Sequence, residues 1–148
     1  LISKRLKIKF IDVDKVIEKK EKKTIKRIFE DNGENYFRKL EEKTTLKILK
    51  NNRSVIALGG GAFINKEIRQ KVLSSCVSVW LKVDLDKLIK RYQKNDRRPL
   101  LDKKKLNTDV KKIYLSRKKI YSLANFKINC GNIDKIKIVQ KILNFYAN

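Results

Sequence analysis

The stretch Ser54-Val55-Ile56-Ala57-Leu58-Gly59-Gly60-Gly61 joins a short apolar run to three consecutive glycines. Such a run, rich in β-favouring residues, reads as a strand of the kind found buried in parallel sheets. Its carboxyl end is where open α/β sheets place their ligands. Without Cβ atoms, main-chain N–H groups at Gly59, Gly60 and Gly61 can close on a small polyhydroxylated ligand. A tight strand-to-helix turn is the plainer alternative.

Working outward, "LISKRLKIK" enters as the last turns of an amphipathic helix, and "IKFIDVD" gives a short strand ending in Asp12 and Asp14. Strand alternation aims both carboxylates the same way. A short helix follows from Lys15 to Lys23. Thr24 then caps "IKRIFED", which stops at Asn32-Gly33 before a longer helix from about Glu34 to Lys50. There Phe37, Leu40, Leu46 and Leu49 mark an apolar stripe with Arg38 beside it. Beyond the glycines, "NKEIRQKVLSS" reads as a helix, "CVSVWLKV" as a buried strand, and "DLDKLIKRYQK" as a helix with Asp84 as its cap. The polar, basic segment "NDRRPLLDKKKLN" carries the only proline and breaks periodicity, as lids often do. Helix "TDVKKIYLSRKKIYSLA", strand "FKINC" and a closing helix from about Asp134 to Tyr146 complete the chain. Alternating strands and helices predict an α/β fold with a parallel sheet in one domain over residues 1–148.

Composition narrows the chemistry. Histidine is absent, so a histidine base, a Ser-His-Asp triad and a His-ligated metal are excluded. Acid–base work falls to Asp, Glu, Lys or Tyr. Cys76 and Cys130 each sit in an apolar, strand-like run, the setting of small buried thiols. No apolar run approaches the ~20 residues of a membrane span. Lys and Arg number 39 against 16 Asp and Glu, a net +23 that invites a nucleic-acid partner. The lysines are spread along the whole chain with abundant Asn and Ile, a pattern that AT-biased coding produces without selection for binding. The charge therefore reads mainly as solvated surface, and an anionic small-molecule substrate fits it equally well.

In order and spacing, "FIDVD", "IFEDNGENYFRKLE", "VIALGGGA", "RRPLL" and "SRKKIY" match the patterns F-x-D-x-D, I-F-x-x-x-G-E-x-x-F-R-x-x-E, G-G-G-A, R-P-L-L and R-x-x-x-Y. Together they resemble the shikimate kinase family, small nucleoside-monophosphate-kinase-like enzymes that phosphorylate the 3-hydroxyl of shikimate with ATP. The resemblance implies a three-layer P-loop kinase fold around a five-stranded parallel sheet, with a lid near residues 94–106. Asp14 resembles the aspartate that orients the reacting hydroxyl and accepts its proton. Asp12 looks like the acid near the Mg²⁺ shell. Arg38 and Arg117 resemble the arginines that grip the shikimate carboxylate, a task suited to a forked guanidinium. Glu41 looks like the partner that fixes Arg38. Arg98 resembles the lid arginine that meets the transferring phosphate, with Arg97 an ambiguous neighbour. Arg91 matches the arginine that lies against adenine. Gluconate kinase is the runner-up among enzymes, and a basic nucleic-acid-binding domain is the reading from another class.

The family's phosphate-binding loop, G-x-x-G-x-G-K-[ST], does not occur in these 148 residues. There is also no methionine. The expectation is that this loop and its central strand stand upstream of Leu1, and that the 148-residue chain alone is not a competent kinase. The resemblance further implies a cytoplasmic, monomeric protein whose partners are shikimate and ATP.

Overall fold

The computed structural model describes residues 1–50, 53–93, 106–131 and 133–147. They divide into two compact units, Leu1–Cys76 and Val77–Asn148.

In the first unit, α1 (Ile2–Leu6) ends at Lys7, which takes the left-handed conformation at φ 53°. The chain then enters β1 (Lys9–Asp12), which pairs in parallel with β2 (Ser54–Ala57) from Lys9↔Ser54 to Asp12↔Ala57. Helix α2 (Val13–Glu21) begins immediately after β1, with Asp12 as N-cap accepting from the Lys15 N–H at 3.3 Å. The strand is therefore shorter than expected. Asp14 belongs to the first turn of α2 and not to a strand edge, so strand alternation does not pair it with Asp12. An aspartate that satisfies exposed helix N–H groups ends the extended run there.

Thr24 caps α3 (Ile25–Leu49) through the Arg27 N–H at 3.2 Å, and the Glu18 carboxylate accepts from the Ile25 N–H at 3.1 Å. Gly33 interrupts α3 at φ 78°, ψ 174°, a conformation essentially confined to glycine. The expected break at Asn32-Gly33 is thus a kink between two helical halves. Beyond it the buried positions are Phe37, Leu40, Glu41, Thr44, Thr45 and Ile48, while Leu46 and Leu49 are only half-buried. The stripe expected on Leu46 and Leu49 is out of phase. Counting from Phe37, a 3.6-residue period reaches Thr44, Thr45 and Ile48 instead. Phe37, Leu40 and Ile48 close on Ile11, Val13, Ile17 and Ile28 as one core.

After β2 comes a 3₁₀ turn (Ala62–Ile64) and then α4 (Lys66–Ser75), capped by Asn65 accepting from the Ile68 N–H at 3.0 Å. Ile68 and Val72 are the buried face of α4.

The second unit pairs β3 (Val79–Lys82) with β4 (Phe126–Asn129) in parallel. Its register is clamped at the start: Asn125 Oδ1 accepts from the Ser78 N–H at 3.0 Å and the Ser78 hydroxyl at 2.6 Å, and the Asn125 N–H donates to that hydroxyl. Around this pair lie α5 (Leu85–Gln93), α6 (Leu106–Tyr121) and α7 (Lys135–Ala147). The Asp84 carbonyl accepts from the Leu88 N–H in the first turn of α5. Phe126 stacks on Phe145 at 4.2 Å and Trp80 meets Tyr121 edge-on at 5.9 Å.

The parallel α/β architecture read from the sequence is present as two parallel pairs. Among the described residues each strand has a partner on one side only. That is why β2, expected to be buried, is half-buried throughout and Leu81 of β3 is 52% exposed. Cys76 and Cys130 are half-buried and not the fully enclosed thiols expected. The proposed lid lies outside the described residues apart from Leu106, which opens α6.

Candidate functional site

The site is assembled in the first unit, where the parallel pair ends at Asp12 and Ala57 and both chains turn away. From β1 the backbone enters α2 and presents Asp14; from β2 it runs through Gly59, Gly60 and Gly61 to the 3₁₀ turn. Long helix α3 supplies Arg38 and Glu41. The structure brings these three segments together at the glycines.

A Cβ added at Gly59 would stand 3.0 Å from Asp14 Oδ1 and 3.0 Å from Glu41 Oε1. One added at Gly61 would fall 2.7 Å from the Arg38 guanidinium carbon. The protein's own Arg38 therefore stands too close to Gly61 for a side chain, and Asp14 and Glu41 crowd Gly59. Backbone conformation is not the reason, since Gly33 is the positive-φ glycine among the described residues. Gly60, between them, is exposed.

Arg38 is held on two sides. Its Nη1 donates to Glu41 Oε2 at 2.8 Å, while Nε and Nη2 both donate to Glu34 Oε1, at 3.2 and 3.1 Å. The guanidinium also lies 5.3 Å from the centre of the Phe37 ring. Burial works against its charge, but Glu41 and then Glu34 more than offset this and hold the Arg38 pKa above its ordinary value. Glu41 is 2% exposed and the Arg38 side chain 32%. A buried carboxylate at this place requires such a partner. The three bonds use three of five guanidinium N–H groups, leaving one on each Nη nitrogen, a forked donor fit for an incoming carboxylate.

Arg117 stands on α6 of the second unit, half-buried, one turn before Tyr121. Arg91 is in the last turn of α5, with its side chain outside the described residues. Arg97 and Arg98 lie outside them entirely. Among the described residues no group of three or more Asp, Glu, Cys or His could hold a metal ion. Asp12 is half-buried, occupied as the α2 cap, and borders an open cleft of about 520 Å³ that also takes in Lys15 and Lys19. That cleft reaches none of Asp14, Arg38 or the glycines.

Sequence reasoning gave no role to four residues that shape the site. Glu34 lies within the matched pattern, and its i,i+4 spacing to Arg38 is the signal for the bond. Asn65, first in the stretch read as a helix, stands just outside it and caps α4. Arg69 donates to the carbonyls of Ile64 at 2.7 Å and Phe63 at 3.2 Å, and Glu42 accepts from Asn65 Nδ2 at 2.6 Å. No pattern in the chain announces either contact.

Comparison with known proteins gives the family. The family model described as shikimate kinase matches residues 1–147. The shikimate kinase of Bartonella henselae is 39% identical over 142 residues, covering 96% of this chain and 68% of the relative. The structure of the Acinetobacter baumannii shikimate kinase in complex with shikimate superposes with a TM-score of 0.92 at 26% identity, over 99% of this chain and 82% of the other. The Aquifex aeolicus shikimate kinase gives 0.86 at 32%, over 99% and 85%. With its motifs in order, its parallel strands and its arginine set against a glycine turn, the chain belongs to the shikimate kinase family, whose members transfer phosphate from ATP to shikimate.

Proposed function

We propose that the cluster at Gly59–Gly61 is the shikimate-binding site, and that phosphorylation takes place on the substrate's 3-hydroxyl. The observation that carries this reading is Arg38. Its guanidinium is held by Glu34 and Glu41 and lies against Gly61, so its orientation is set before any ligand arrives. Pre-organisation of this kind lowers the cost of binding an anion. Asp14, against Gly59, orients the reacting hydroxyl and accepts its proton.

The remaining roles rest on the motifs. Arg117 binds the substrate carboxylate, Arg98 meets the transferring phosphate and Arg91 lies against adenine. Asp12 would be the protein's carboxylate toward a magnesium ion accompanying the nucleotide. Bound there the ion would neutralise phosphate charge. A cytoplasmic monomer is the proposed working form. Among the described residues no helix is long and apolar enough to cross a membrane.

Calorimetry tests the substrate half directly. The chain should bind shikimate in preference to gluconate, and Arg38→Ala should weaken shikimate by about 2–5 kcal/mol, the usual loss when one partner of a buried charged pair is truncated. Unchanged affinity in Arg38→Ala, or no preference for shikimate in the parent, would remove the assignment.

A further inference from the structure

Helix α3 holds the glycine segment at two places. Arg38 and Glu41 meet its start at Gly61 and Gly59, and Glu42, the residue after Glu41, meets its end at Asn65. Successive helical residues point about 100° apart, so Glu41 and Glu42 reach two different parts of the same loop. Asn65 is forked. Its Oδ1 accepts from the Ile68 N–H at 3.0 Å and caps α4, while its Nδ2 donates to Glu42 Oε2 at 2.6 Å. One branch needs an acceptor and the other a donor, so the two partners fix the amide's orientation between them. From one turn into α4, Arg69 reaches back to the carbonyls of Phe63 and Ile64 and ties the intervening 3₁₀ turn to the same helix.

We infer that Glu42, Asn65 and Arg69 are positioning residues for the glycine segment, clamping its far end so that Gly59–Gly61 stay in register with Arg38 and Asp14. The inference deepens the proposed function and rests on the reading of Gly59–Gly61 as part of the shikimate site. Binding constellations need placement within about 0.5 Å, and an untethered loop would not hold that. The cap and the clamp are chemically separable, because capping uses only the oxygen of Asn65 and clamping uses only its nitrogen.

Asn65→Asp keeps a capping acceptor, removes the Nδ2 donor and sets a carboxylate beside Glu42. The double variant E42Q/N65D restores the contact with donor and acceptor exchanged. Two readouts are taken on the 148-residue chain: hydrogen–deuterium exchange at Gly59–Gly61 without ligand, and shikimate affinity by calorimetry. In Asn65→Asp, exchange should rise and affinity fall by about tenfold each, the scale of one lost hydrogen bond to a charged group. The double variant should return both to within about threefold of the parent. A contact that served only α4 stability would leave exchange at the glycines unmoved. If Asn65→Asp does not fold, Glu42→Ala, which leaves the cap intact, should show the same two effects. Parental exchange in either single variant, or a double variant no better than Asn65→Asp, overturns the clamp. Absence of shikimate binding in the parent would defeat the reading of the site, whereas the exchange measurement would still decide whether the clamp exists.

Discussion

At the residue scale, the glycine triplet is three positions with different demands. Gly61 faces a guanidinium anchored by two carboxylates, which cannot retreat without breaking bonds to Glu34 or Glu41. Gly59 faces two carboxylate oxygens at 3.0 Å, a contact that a few tenths of an ångström of movement would relieve. Gly61→Ala should therefore cost more than Gly59→Ala. We expect Gly61→Ala to destabilise the fold by about 1–3 kcal/mol, the range for overpacking, and to weaken shikimate binding as Arg38→Ala does. Thermal melts beside calorimetry would check this, and equal behaviour of the two variants would show that Arg38 is not confined. The identity of Arg38 as a binding candidate was legible from its motif, and its bond to Glu41 follows that expectation. The atoms facing the glycines were not legible, because Asp14 and Arg38 are far from residues 59–61 along the chain.

At the element scale, α3 depends on Gly33. No heavy atom lies within 4 Å of a Cβ added there, so Gly33→Ala meets no steric clash and its whole cost is conformational. At φ 78°, ψ 174° that cost should be about 1–3 kcal/mol, seen as a lowered denaturation midpoint with an unchanged slope. Just before the kink, Asp31 accepts from Lys23 at 2.9 Å and pairs with Arg27 at 3.0 Å. The Lys23 bond first, and the Arg27 and Lys23 charges with it, hold the Asp31 pKa below the usual carboxylate value. A depressed carboxylate stabilises the fold above its unfolded pKa and loses that contribution as pH falls through its folded value. Asp31→Asn should thus melt below the parent at pH 7, with the gap closing below about pH 4. A gap that persists at lower pH would show that the ion pairs do not carry it. The Thr24 cap and the break at Asn32-Gly33 were readable because both are local chemistry. The phase of the buried stripe differs from the expectation on Leu46 and Leu49, because the helical period from Phe37 places Thr44 and Thr45 inside.

At the scale of the whole molecule, net charge dominates. With 39 basic and 16 acidic residues, cations outnumber carboxylates more than two to one and the folded chain repels itself. Screening shortens the reach of this repulsion to about 8 Å at 0.15 M salt. The melting temperature should rise on moving from about 10 mM to 150 mM sodium chloride. A flat or falling response would mean that specific ion pairs outweigh the general field. The parallel α/β character of both units was predictable, because strand-like apolar runs alternate with amphipathic helical stretches over the whole chain.

The sequence by itself determined the family, the alternation of strands and helices, the Thr24 cap, the break at Gly33 and the candidate residues, since motif spacing and local hydrogen bonding are properties of neighbours in the chain. Tertiary structure alone decided which atoms stand against Gly59 and Gly61, namely the carboxylates of Asp14 and Glu41 and the Arg38 guanidinium, and that Glu42 reaches Asn65. The contacts at the glycines and at Asn65 join residues 18 or more positions apart in the chain. Such contacts follow from the packing of α3 across the strand ends, and no local pattern encodes where that helix lies.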